Sequence, residues 1–174
     1  LHRAISGGDY TQKQVEETNT PSMDIQIASN FERLLYDVKD CNSEVTKDIM
    51  AEIKNNTYEI DKNDLDKIKK NFISEMLDEN ETVEMIKTIN NEHKIVVDPH
   101  TAVGIGAARK LGLEKNCVVL STAHPCKFPQ AIEDAISRTE DLPDSLNYVY
   151  DRKEKFELLP NEIEKVKGYV MNSI

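Results

Sequence analysis

Two short apolar runs constrain this chain more than any other feature. Lys94-Ile95-Val96-Val97-Asp98 is a short β-branched run ended by Pro99 and His100, and Cys117-Val118-Val119-Leu120 leads into Ser121-Thr122-Ala123-His124-Pro125. A strand that is apolar at every position is one buried on both faces, as the strands of parallel sheets are. Helix-start chemistry follows each run. Thr101 is expected to cap a helix running to Leu111, with Gly112 as its left-handed stop. Pro129 suits the first position of a second helix. Strand, helix, strand, helix in that order predicts an α/β architecture, with parallel strands flanked by helices.

Upstream, residues 7–21 are polar and punctuated by glycine and proline, which predicts a loop. Met23, Ile25 and Ile27 alternate with Asp24 and Gln26, so a short strand is expected there. Ser29 and Glu32 stand at capping-box spacing before Phe31, Leu34, Leu35 and Val38, the stripe of an amphipathic helix. Residues 41–93 then turn rich in lysine, acid and asparagine, and carry three amphipathic stretches. Their stripes are Val45, Ile49 and Ile53; Leu65, Ile68, Phe72 and Met76; and Val83, Ile86 and Ile89. The segment is expected to be a helical insertion, capped first at Ser43, with Tyr58-Glu59-Ile60 extended inside it. Near the C-terminus, Leu146, Tyr148 and Tyr150 alternate, and Ile163, Val166 and Val170 mark a last helix.

Charge removes several function classes. Acids outnumber bases 32 to 22, a formal charge of -10, which repels phosphate backbones and anionic bilayers. Neither a nucleic acid nor a membrane is an expected partner, and no run approaches the ~20 apolar residues of a spanning helix. The chain opens on Leu1 without an apolar leader, so it is expected to begin inside a longer polypeptide. Three widely spaced cysteines, Cys41, Cys117 and Cys126, fit reduced thiols in a cytoplasm better than a disulfide framework.

Three motifs are decoys. Gly104-x-Gly106 has Arg109 where a dinucleotide loop needs its third glycine, and both glycines fall inside the expected helix, where they permit close packing. His124, Cys126 and Cys117 lack the paired Cys-x-x-Cys spacing and fourth ligand of a zinc site, so no metal is expected. Cys126 with His124 makes no dependable thiol–base pair.

In a parallel sheet, ligands gather beyond the carboxyl ends of the strands. Residues 98–101 and 121–127 concentrate hydroxyls and imidazoles at those ends, with Lys127 as a local cation. Each of these residues serves equally well as a helix cap or turn former when taken alone. A cation beside helix-start N–H groups suits a phosphate.

Together, Thr20-Pro-Ser-Met-Asp-Ile25 with Ser29-Asn-Phe-Glu-Arg33, Asp98-Pro-His-Thr-Ala-Val-Gly104 and Leu120-Ser-Thr-Ala-His-Pro-Cys-Lys-Phe128 resemble threonine synthase, in the order of the C-terminal part of that family's chain. The resemblance implies part of the large domain of a fold type II pyridoxal-phosphate enzyme, of the tryptophan synthase beta-like kind. It implies that the whole enzyme converts O-phospho-L-homoserine and water to L-threonine and phosphate. Thr122, with Ser121 as the neighbouring alternative, matches the hydroxyl that meets the cofactor's pyridine nitrogen. His100, Thr101, His124, Lys127, Asn30 and Arg33 match positions on the substrate side. The family's Schiff-base lysine and glycine-rich phosphate loop lie upstream of this stretch. No catalytic residue is therefore expected within it, and activity is expected to need the missing N-terminal part of the same chain. Alone, the stretch could self-associate through uncovered apolar faces. A phospho-lyase with another substrate and a non-enzymatic α/β module that binds a protein through its acidic helices are the competing readings.

Overall fold

A computed structural model describes residues 1–55, 58–149 and 151–173. The chain divides into two compact units, Leu1–Asp141 and Leu142–Ile174. Within the first unit, α1 (His2–Gly7) stops at Gly8, whose φ of +87° lets its N–H return to the Ala4 carbonyl at 2.9 Å. No signal in the sequence announced this short helix. α2 (Phe31–Val38) buries Phe31, Leu35 and Val38, the stripe expected of it. The Ser29–Glu32 capping box does not form; Asn30 occupies the N-cap and makes no side-chain cap bond.

Three helices fill 41–93, as their periodicity required: α3 (Ser43–Lys54), α4 (Lys62–Lys69) and α5 (Glu79–His93). Asn42, rather than Ser43, caps α3 by accepting the Val45 N–H at 3.2 Å. The expected second stripe is cut short. α4 closes when Asn71 and Phe72 donate to the Ile68 carbonyl, and Phe72 and Met76 are left exposed on the extended segment that follows. A reciprocal capping box joining Asp78 and Glu81 then starts α5. α6 (Pro99–Lys110) begins three residues earlier than expected, because its cap is Asp98 and not Thr101. Gly112 takes the left-handed stop at φ +67°. α7 (Pro129–Ile136) starts on its proline as predicted.

The α/β expectation fails. Among the described residues there is no sheet, only one isolated antiparallel bridge between Asp9 and Glu59. Residues 95–98 and 117–120 take no regular secondary structure, and among the described residues they make no ladder pairing. A strand exists only through a neighbour that takes its backbone N–H and C=O groups. Without one, Val118 and Leu120 stand 91% and 75% exposed. The strand expected at Met23–Ile27 is also absent. Pro21–Met23 forms a 3₁₀ turn, held by Asp24, whose carboxylate accepts the Thr18 N–H at 2.8 Å and the Thr18 hydroxyl at 2.7 Å. That folds the segment back on itself and leaves Met23 and Ile25 exposed.

Two hydrophobic cores result. One joins α1 to α4 around Leu35, Ile53 and Ile68, with Tyr10 edge-on to Phe31 at 4.8 Å between ring centres. The other joins α5, α6 and α7 around Ile86, Ala102 and Ile132, with Val96 and Val97 of the first apolar run packed against it. At the first core's surface, Lys67 Nζ donates to the Val38 carbonyl at 2.6 Å, placing a cation at the negative end of α2. In the second, Gly106 lets α6 approach Leu77 so closely that a Cβ there would lie 2.3 Å from Leu77 Cδ2.

The second unit contains a 3₁₀ segment, Asp144–Val149, and α8 (Ile163–Ser173). The alternation of Leu146 and Tyr148 thus gives a 3₁₀ turn, not a strand; Tyr150 lies outside the described residues. No described helix is long and apolar enough to cross a membrane.

Two stability measurements follow. Asp61 caps α4 by accepting the Asp64 N–H at 3.0 Å and also accepts Lys39 Nζ at 3.0 Å. The Asp64 N–H first, then the Lys39 ammonium, pull its carboxyl down from 3.8 to about 2. Because the folded value is the lower one, this stabilisation is full above the unfolded value and disappears as pH falls through the folded one. Asp61→Ala should therefore lose about 1 kcal/mol in urea unfolding at neutral pH, and nothing once the carboxyl is protonated in both states. Gly106→Ala should cost ~1–3 kcal/mol by overpacking Leu77, despite alanine's advantage in a helix. A stabilised Gly106→Ala chain would contradict the packing described.

Candidate functional site

The site grows from one buried carboxylate. Asp98 ends the first apolar run, is 1% exposed, and precedes Pro99 at the first turn of α6. A carboxylate removed from water must be met by donors or it destabilises the fold. Oδ1 accepts the backbone N–H of His100 at 3.0 Å and of Thr101 at 3.4 Å, and faces His100 Nδ1 at 3.2 Å. Oδ2 accepts a hydrogen bond from the Thr101 hydroxyl.

The bonds around His100 assign its tautomer. Nε2 accepts the Ser22 backbone N–H at 3.3 Å, so it carries no proton in this arrangement, and Nδ1 is the nitrogen that donates to Asp98. The imidazole is 6% exposed and lies against the Phe128 ring at 4.8 Å between centres. Lys127 Nζ sits 5.8 Å from the centre of that same ring. One imidazole therefore ties the 3₁₀ turn at Pro21–Met23, the start of α6 and the start of α7 together.

The second segment joins through Thr101, whose Oγ1 accepts the backbone N–H of Thr122 at 3.1 Å. Val119, three residues earlier, packs on α6 where Gly104 leaves room; a Cβ on Gly104 would lie 2.9 Å from Val119 Cγ1. The two apolar runs thus deliver their ends to the same place. His100 and Thr101 form the buried floor of the arrangement. Ser121, Thr122, His124 and Lys127 are exposed around it. His124 also caps the turn Pro125–Lys127, its Nδ1 accepting the Cys126 N–H at 3.3 Å.

Asn30 and Arg33 are placed elsewhere, with the first core. Arg33 lines a groove of about 690 Å³ between α2 and α3, beside Ser29, Tyr36, Lys47 and Met50, and no residue from 98–128 lines that groove. Sequence reasoning missed Asp98, Ser22 and Phe128. For Asp98 the signal was present: an Asp before Pro, with a hydroxyl three positions on, is an N-cap followed by a proline at the first helical position. The contribution of Ser22 is a backbone N–H, which no side-chain pattern reveals.

Known proteins resemble this arrangement throughout its length. The family model described as "Threonine synthase, C-terminal" matches residues 101–170. Threonine synthase of Pseudomonas aeruginosa is 36% identical over 174 residues, covering 98% of this chain and 37% of that protein. Threonine synthase of Saccharomyces cerevisiae is 34% identical over 189 residues, covering 95% of this chain and 34% of that protein. Among solved structures, pyridoxal-phosphate-bound threonine synthase from Brucella melitensis superposes with a TM-score of 0.81 at 35% identity, over 99% of this chain and 38% of that one. The chain therefore spans a little over a third of the length of these relatives.

His100→Ala should destabilise the first unit by ~1–3 kcal/mol in chemical denaturation, because it takes a donor from buried Asp98 and an acceptor from Ser22. An unchanged midpoint would mean that these bonds are not made in solution.

Proposed function

We propose, from the premise that this chain belongs to the threonine synthase family and corresponds to its C-terminal part, that the whole enzyme converts O-phospho-L-homoserine and water to L-threonine and phosphate with pyridoxal phosphate. The observation that carries the reading is the Thr122 N–H to Thr101 Oγ1 bond, which brings the two segments of family-like sequence to one exposed rim. When bound, the cofactor supplies the electron sink for the reaction.

The donor set fits that cofactor. Among the described residues, the bonding of Thr122 runs through its backbone N–H, which leaves a neutral, exposed hydroxyl to offer a pyridine nitrogen. A neutral partner does not require that nitrogen to be protonated, and so moderates the sink. Ser121 is exposed beside it and is the second hydroxyl of the pair. Lys127 and His124 present a cation and an imidazole to the substrate phosphate from the same segment. His100 and Thr101 serve from beneath, holding the rim in place. Asn30, the N-cap of α2, and Arg33, which lines the separate α2–α3 groove, approach the substrate from the side of the first core. The Schiff-base lysine and the cofactor-phosphate loop belong to the N-terminal part of the enzyme. Residues 1–174 then form the rear of its large domain, with 41–93 as an inserted helical segment, working among the reduced thiols of a cytoplasm.

Assay of the whole enzyme with O-phospho-L-homoserine tests the reaction; threonine and phosphate in equal amounts are expected. A keto acid as product would instead favour a related phospho-lyase. Thr122→Ala should lower kcat/KM by about 10- to 100-fold, the loss of one hydrogen bond to a charge-bearing ring. Unaltered kinetics would remove Thr122 from the cofactor site.

A further inference from the structure

We infer that Asp98 is a positioning residue for Thr122, acting through the hydroxyl of Thr101. The inference rests on the cofactor-facing role of Thr122 proposed above and adds the device that aims it. An N-cap needs only one carboxylate oxygen, and Oδ1 of Asp98 fills that role by accepting the His100 and Thr101 amides. Oδ2 does something a cap does not require. It accepts a hydrogen bond from the Thr101 hydroxyl, whose oxygen in turn accepts the N–H of a residue 21 positions further along the chain.

The order of donation is what makes the device directional. A threonine hydroxyl has one proton and rotates freely until the proton finds an acceptor. Here a fully buried carboxylate fixes that proton, so the hydroxyl lone pairs have a set direction and the Thr122 N–H meets a stationary acceptor. Hydrogen bonds in series also polarise one another, and the chain ends on an ion. The segment is tied to α6 at this bond and at Val119, which packs where Gly104 leaves room. The bond from Thr101 thus sets the height and rotation of the peptide that carries the Thr122 side chain. Small displacements of a group that must meet a bound reactant have large effects on rate.

The test separates this coupling from the cofactor assignment by reading each on its own. In the whole enzyme with isotope-labelled threonine amides, hydrogen exchange at Thr122 is compared among wild type, Thr101→Val, Thr101→Ser and Asp98→Asn, with and without pyridoxal phosphate. Thr101→Val keeps the shape of threonine without its hydroxyl, and Thr101→Ser restores the hydroxyl. The visible absorbance of the bound cofactor is recorded for the same proteins and for Thr122→Ala. The inference expects Thr122 exchange to accelerate by about tenfold or more in Thr101→Val and Asp98→Asn, and to return towards wild type in Thr101→Ser. It also expects the cofactor absorbance in Thr101→Val to move in the direction produced by Thr122→Ala. Unchanged exchange in Thr101→Val overturns the coupling, whatever the cofactor does. Accelerated exchange with an unmoved absorbance overturns it too, provided that Thr122→Ala moves the band. If Thr122→Ala itself leaves the band in place, the cofactor contact is wrong, and the inference falls with it even though the amide coupling is intact.

Discussion

A single carboxylate sealed from water organises the candidate site of this molecule. Among the described residues, no lysine or arginine pairs with Asp98. Its charge is met by two amides, an imidazole and a hydroxyl, each held in place because the carboxylate requires it. Those four donors belong to one helical turn, but their other atoms reach outward. His100 extends to the turn at Ser22 and to Phe128, and Thr101 extends to Thr122. Three stretches far apart in sequence are therefore registered against one another by satisfying one ion.

The second core supplies the rigidity that such an arrangement needs. α6 rises from Asp98 and packs against α5, and α7 follows Phe128 and packs against the same helix through Ile132. Because both helices start at the site, their packing fixes the backbone on either side of it. The first core is a separate body of apolar contacts. Arg33 belongs there, which is why a residue adjacent to the site in the sequence argument is not adjacent to it in space.

What could be read from the sequence was local. The stripe of α2, the three helices of 41–93, the proline start of α7 and the glycine stop of α6 are all properties of a few neighbouring residues, and they appear in the structure. The parallel sheet was not local. Ile95–Val97 and Cys117–Leu120 form no strand here, because a strand exists only when another segment lies alongside. The site was legible in the same uneven way. Its residue types and the two places where the chain turns were visible, and Thr101 and Thr122 do meet. The residue beneath them was not, because Asp98 was read as the end of a strand rather than the start of a helix. Its importance comes from burial, which a sequence pattern only hints at.

The burial of Asp98 also has a covalent consequence. Asp98 and Pro99 form an aspartyl–prolyl bond, the linkage in a polypeptide that dilute acid splits most readily, through attack of the side-chain carboxyl on its own carbonyl carbon. With both oxygens engaged and the proline locked into the first turn of α6, that attack is geometrically closed while the turn persists. Scission must wait for the turn to open. The rate at which the two acid-cleavage pieces appear thus reports the fraction of chains in which the turn that carries the site is open.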